Sequence, residues 1–246
     1  MGTLIELPQH ALTAYRADPP GEARGAVVVV QEIWGLAEHI TDVTDRFAAL
    51  GYIAVAPDLL GHIGLTPEVG HELQELMFGG DEARRSTAQP RLRDTMSAAR
   101  APEFAAWAVP ALRGVVDLLA EQEGVDGDIA VVGFCFGGSY SFSLALAETR
   151  LKAAVAFYGG FPGNGDPADL GCPVLAFYGA DDHGITDGLP ELEARMTKAG
   201  ADFTSHVYDG VGHAFFNDTN AQTYHPEVAA DAWHRTITFV EEHFAD

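Results

Sequence analysis

The sequence predicts an α/β fold: a mostly parallel, doubly wound sheet with helices on both faces and no separate cap domain. Three observations predict it. Strand and helix signals alternate from one end of the chain to the other, the order that parallel strands joined by crossover helices require. Ala26-Val27-Val28-Val29-Val30 is a continuous apolar run, the pattern of a strand covered on both faces. The chain has 246 residues, 47% apolar and 20% charged, which suffices for one large core. Residues 1–246 are therefore read as a single domain, with no repeat, low-complexity tract or interdomain linker.

In order, residues 3–7 and 12–17 form an opening pair of strands and residues 26–30 a central strand. Residues 38–50 carry the amphipathic spacing of a helix that ends before Gly51. Ile53-Ala54-Val55-Ala56 is the next strand, closed by Pro57-Asp58. Residues 59–100 are less regular, and glycines, Thr66-Pro67 and Gly79-Gly80-Asp81 divide them into short helices. A helix follows at 103–122, with Pro110 as a kink or boundary because proline lacks the amide donor. Then come a strand at 128–133, a helix at 136–148, strands at 153–158 and 173–178, a helix at 189–199, a strand at 202–208 and a closing helix at 225–244. The chain ends at Asp246, so no cap domain is expected after that helix.

The strand at 128–133 runs directly into Gly133-Phe134-Cys135-Phe136-Gly137. This spacing is the nucleophile elbow of the α/β-hydrolase fold, with cysteine where serine is usual. Side chains two residues either side of so sharp a turn would collide, so glycine stands there. The turn lifts Cys135 above the sheet edge at a helix N-terminus, where the dipole favours a thiolate.

A thiol nucleophile needs a base, and the base needs an orienting acid. In this fold they follow in the order acid, then histidine, each on a loop after a strand. Gly179-Ala180-Asp181-Asp182 and Gly210-Val211-Gly212-His213 occupy those loops. The Gly-x-x-Asp spacing favours Asp182 over Asp181, and a solvated acidic turn is the bland alternative for both. His213 is the expected base and His183 its rival. His206, within a strand, reads as a partly buried histidine, and His10, His39, His62, His71, His225, His234 and His243 read as surface residues. Val30-Gln31-Glu32-Ile33-Trp34 leaves the central strand where this fold forms its oxyanion hole, so the amides of Ile33 and Phe136 are the expected donors. Glu32 leaving a buried strand is costly unless paired. It either reaches the thiol or serves as a cap or a surface charge. Trp34, Phe134 and Phe215 flank these loops as candidate substrate contacts, and the irregular 59–100 segment is the expected source of specificity.

The formal charge is −22 with only 14 Lys and Arg, which argues against nucleic acid and anionic membranes as partners. Cys135 and Cys172 are the only cysteines, too few for a disulfide framework, and no C-x-x-C pair is present. The N-terminus has no basic region followed by a long apolar run, and no stretch approaches a membrane span, so a cytoplasmic location is expected.

Taken jointly, Gln31-Glu32-Ile33-Trp34-Gly35-Leu36, Gly51-Tyr52, Ala56-Pro57-Asp58-Leu59, the cysteine elbow through Gly138, Tyr178 to Asp182 and Gly212-His213-Ala214-Phe215 resemble the dienelactone hydrolase (carboxymethylenebutenolidase-like) family over almost the whole chain. The resemblance implies a triad of Cys135, Asp182 and His213, with Glu32 activating the thiol, and neither metal nor organic cofactor. It implies a small lactone or ester as partner and a monomer or small homo-oligomer. One substrate-binding position departs from the family pattern. Members that act on dienelactone hold its carboxylate with two arginines, one of them four residues after the histidine, where this chain has Asn217. The second arginine comes from the excursion that here contains Arg84, Arg85, Arg91 and Arg93. Asn217 cannot supply a charged bidentate clamp.

Overall fold

The computed structural model describes residues 1–79 and 81–245. Gly80 of the expected Gly79–Asp81 turn and the terminal Asp246 lie outside the described residues. Eight strands form one sheet in the order β1-β2-β4-β3-β5-β6-β7-β8. They are β1 (Thr3–Leu7), β2 (Leu12–Ala17), β3 (Ala26–Val30), β4 (Ile53–Pro57), β5 (Ile129–Phe134), β6 (Ala153–Phe157), β7 (Val174–Gly179) and β8 (Phe203–Tyr208). Strand β2 pairs antiparallel with β1 and β4, and the six strands from β4 to β8 in sheet order are parallel. This is the α/β-hydrolase arrangement that the strand pattern predicts.

Alternation along the strands divides the core between the two faces. Val28, Val30 and Val131 face a cluster completed by α4 (Pro102–Ala120), α5 (Phe136–Ala147) and α7 (Leu189–Ala199), the last preceded by the short helix α6 (His183–Thr186). Val27, Val29 and Val132 face α1 (Glu38–Ala49) and α8 (Pro226–Phe244). Helix α4 continues through Pro110, where the sequence suggested a kink or boundary. Its buried stripe of Phe104, Ala108, Ala111, Leu112, Val115, Val116 and Leu119 holds both halves on the sheet.

The excursion after β4 is more regular than expected. A 3-10 turn (Leu60–Ile63) leads to α2 (Pro67–Phe78) and α3 (Glu82–Ala99), an 18-residue helix rather than short pieces. Caps set these boundaries: Thr66 Oγ1 accepts from the Val69 amide at 3.4 Å, and Asp81 Oδ1 from the Arg84 amide at 2.9 Å. Among the described residues, no helix is long and apolar enough to cross a membrane.

Candidate active site

The chain leaves β5 at Phe134 and enters α5 at Phe136, so the reversal falls on Cys135, with φ 55° and ψ −113°. A positive φ on a non-glycine residue is strained, and the surrounding packing must enforce it. The Cys135 amide donates to the Phe157 carbonyl at 2.9 Å, and its carbonyl accepts from Ser139 at 3.2 Å. A side chain at Gly133 would overlap the Gly137 carbonyl, and one at Gly137 would overlap the Val30 carbonyl. The two glycines let α5 descend onto β3 and β5, as the spacing predicts.

Two further loops meet above the elbow. A side chain at Gly179 would overlap the Val211 carbonyl, so this glycine lets the loop after β7 touch the loop after β8. The Asp181 amide donates to the Val211 carbonyl at 3.0 Å and locks that contact. The contact brings Asp182 Oδ2 to 2.6 Å from His213 Nδ1, and His213 Nε2 to 3.0 Å from Cys135 Sγ. Asp181 points outward, and His183, the rival base, is exposed beside Asp187 at 3.5 Å. Burial alone would lower the His213 pKa, but its bonds to Asp182 and Cys135 outweigh that and push it up to about 10. At neutral pH the ring is an imidazolium, with Nδ1–H donating to Asp182 and Nε2–H donating to sulfur.

Glu32 is 2% exposed. Its hydrogen bonds go to neutral partners rather than to the thiol: Oε1 accepts from Tyr158 Oη at 3.1 Å and Oε2 from Asn217 Nδ2 at 2.6 Å. Asn217 is fully buried, and its Oδ1 accepts from the Thr219 amide at 3.0 Å and from Thr219 Oγ1 at 2.6 Å. It is therefore a support for Glu32, which corrects the expectation of a substrate contact.

The aromatic expectations are corrected as well. Phe134 is fully buried, stacked on Phe157 at 4.7 Å and Phe216 at 5.3 Å. As the last residue of β5 it points into the α1/α8 face, while the next residue turns upward. Phe215 is also fully buried, edge-on to Tyr158 and Tyr208 at 5.4 and 5.5 Å. Trp34 is buried against Phe78 of α2 at 5.1 Å, which leaves it little surface for a ligand. The amides of Ile33 and Phe136 donate to no acceptor among the described residues.

Sequence reasoning missed Tyr158. It follows β6, the strand beside the elbow strand, has φ 40°, and its ring lies 5.0 Å from His213. The signal was Phe157-Tyr158-Gly159-Gly160, a strand ending in two glycines at the edge that carries the chemistry. Burial beside Glu32 and Cys135 pushes its phenol well above the ordinary range, so it remains a donor. His39, expected at the surface, is 2% exposed, edge-on to Phe134 at 5.4 Å, with Nδ1 3.5 Å from Asp218. Among the described residues no group of three or more His, Cys, Asp or Glu is arranged to hold a metal ion.

A nucleophile elbow, an acid and a histidine on the loops that follow three strands of a parallel sheet define an α/β-hydrolase. The family model of the dienelactone hydrolase family matches residues 12–244. The chain belongs to that family, and it is a hydrolase acting on carboxylic esters. A relative from Saccharolobus solfataricus, named "Putative carboxymethylenebutenolidase", is 31% identical, with 90% of each chain covered. One of the same name from Yersinia pestis is 31% identical over 98% of this chain and 87% of its own. The crystal structure of a "Putative Dienelactone Hydrolase" from Klebsiella pneumoniae superposes with a TM-score of 0.82 at 30% identity, covering 98% of both chains. Thermogutta terrifontis esterase 2, at 18% identity and a TM-score of 0.61 over 98% of this chain and 91% of its own, shares the fold.

Proposed function

We propose that the protein hydrolyses a lactone or activated ester through a Cys135–His213–Asp182 triad and a thioacyl-enzyme. The observation that carries this reading is the continuous line from Asp182 through His213 to sulfur, at 2.6 and 3.0 Å. The Cys135 thiolate attacks the carbonyl carbon and forms the C–S bond. The oxyanion of the tetrahedral adduct rests on the Ile33 and Phe136 amides, each worth about 10²–10³ in rate by analogy with measured donors. Support for that placement is that both amides face no competing acceptor among the described residues. His213 gives its Nε2 proton to the departing alkoxide or phenoxide, the C–O bond breaks, and a thioester remains. His213 then takes a proton from water, hydroxide adds to the thioester, and sulfur leaves with the electron pair of the C–S bond. Asp182 holds the ring orientation throughout, and Tyr158 and Asn217 hold Glu32 beside this centre.

Sulfur also selects the leaving group. A thiolate departs readily from its own tetrahedral adduct, so acylation goes forward only when the other group leaves more easily. Enolates and phenolates meet that demand, and amide nitrogens do not. p-Nitrophenyl acetate should therefore be hydrolysed far faster than the matching anilide. Faster cleavage of the anilide would overturn the reading.

A further inference from the structure

We infer that the site takes esters or lactones that are uncharged around the reacting carbonyl and disfavours those with a carboxylate there. This substrate class rests on the hydrolase reading above. Two carboxylates, Glu32 and Asp182, stand at the centre against one imidazolium, His213. Both groups that bind Glu32, the Tyr158 hydroxyl and the Asn217 amide, are neutral, so no cation offsets the carboxylate in this buried position. Among the described residues no Lys or Arg contacts Glu32, Asp182, His213 or Cys135.

The surroundings carry the same sign. Asn217 Oδ1 binds Thr219, and Gln74 Nε2 of α2 donates to Thr219 Oγ1 at 2.8 Å. Gln74 and Thr219 line a cavity of about 850 Å³ that also exposes Glu38, Glu72 and Glu75. Of its basic side chains, His71 lies 3.5 Å from Glu75, and Arg84 has no carboxylate partner among the described residues. Arg91 is bound bidentately to Glu72, at 2.9 and 3.2 Å. A substrate carboxylate would thus meet like charge at the centre, and the cavity behind Thr219 is itself mostly acidic. Like charges at short range in a partly buried site repel far more than they do in water.

The test reads charge selectivity at sulfur without requiring turnover. Alkylation of Cys135 by neutral iodoacetamide and by anionic iodoacetate is followed by peptide mapping in 1 M salt. There the Debye length is about 3 Å, so the diffuse net charge is screened while buried groups still act. Cys172 is a silent control, because burial pushes its thiol up to about 12. The iodoacetamide-to-iodoacetate rate ratio at Cys135 should exceed that of N-acetylcysteine by at least about tenfold, as one pKa unit's worth of interaction would give. Glu32→Gln should shrink the excess severalfold, and Arg84→Gln should leave it unchanged. A ratio at or below that of the free thiol would mean that the imidazolium dominates and would overturn the inference, as would an excess that Glu32→Gln does not alter. In parallel, p-nitrophenyl butyrate should be hydrolysed faster than mono-p-nitrophenyl glutarate. Hydrolysis of neither would defeat the hydrolase reading, while the alkylation ratio would still decide the charge preference.

Discussion

Between Ile129 and Leu146 every residue is buried or half-buried, whereas between Pro67 and Ala99 only Gly70, Leu73, Gln74, Ala88 and Ala99 are buried among the described residues. The first stretch is β5, the elbow and α5, pressed against β3 and β6 so closely that glycine is required at three points, Gly133, Gly137 and Gly138. The second is α2 and α3, a charged pair of helices held by caps, surface ion pairs and a few apolar contacts. The contrast separates two tasks. Reacting atoms must keep their geometry to within tenths of an ångström, so they stand where packing over-determines the backbone. Groups that select among substrates can stand on an exposed excursion, where substitutions cost little stability.

The contrast can be broken most forcefully at the elbow itself. Cys135→Ala should lower hydrolysis by about 10⁴-fold or more, as loss of the nucleophile does in comparable triads, measured with p-nitrophenyl acetate. Gly137→Ala should destabilise the protein by more than about 3 kcal/mol, because the new methyl would lie within 2.6 Å of the Gln31 carbonyl oxygen and overlap that of Val30. Denaturant unfolding measures it, and a near-neutral result would mean that the elbow is looser than described. Asn217→Leu should cost about 1–3 kcal/mol, since it leaves Glu32 Oε2 buried without its amide donor. Helix α2 should respond differently. Gln74→Ala should raise KM severalfold for esters long enough to reach the cavity while kcat changes less than about twofold, the signature of a lost binding contact. The smallest effect is expected for Glu72→Gln, which removes the exposed pair with Arg91 and should leave the melting temperature unchanged within error.

The pH dependence bears on the same contrast. His213 in the folded protein keeps its proton up to about 10, against an ordinary value of 6.5. Its stabilising contribution is therefore complete below about 6.5 and drains away as pH rises through about 10. The stability gap between the wild type and His213→Ala should narrow across that window. A gap that stays constant across that window would instead show that the ring is already neutral in the folded state.

Legibility in the sequence follows the same division. The strand run at 26–30 and the elbow glycines could be placed because steric necessity leaves few residues able to occupy those positions, and the loops that bring Asp182 and His213 together because each follows an apolar strand. The opening pair of strands also lies where the pattern put it. Phe134 and Phe215 misled because proximity in sequence to a catalytic loop does not fix the direction of a side chain, and both point into the apolar face behind the site. Asn217 misled because its donor turns inward to Glu32. Tyr158 was invisible because its role comes from the alignment of β5 and β6, a relation between residues far apart in the chain. The length of α3 was missed because Pro90 and a mostly exposed surface hide the usual periodicity.

The central claim is that acyl transfer goes through the sulfur at the elbow. Acid quenching of the protein during turnover of a slowly deacylated p-nitrophenyl ester, followed by peptide mass analysis, tests it most directly. The account expects the acyl group on the peptide containing Cys135, appearing at the rate of the p-nitrophenolate burst and absent from Cys135→Ala. Turnover that continues with the acyl group on another residue, or with Cys135 replaced, would contradict it.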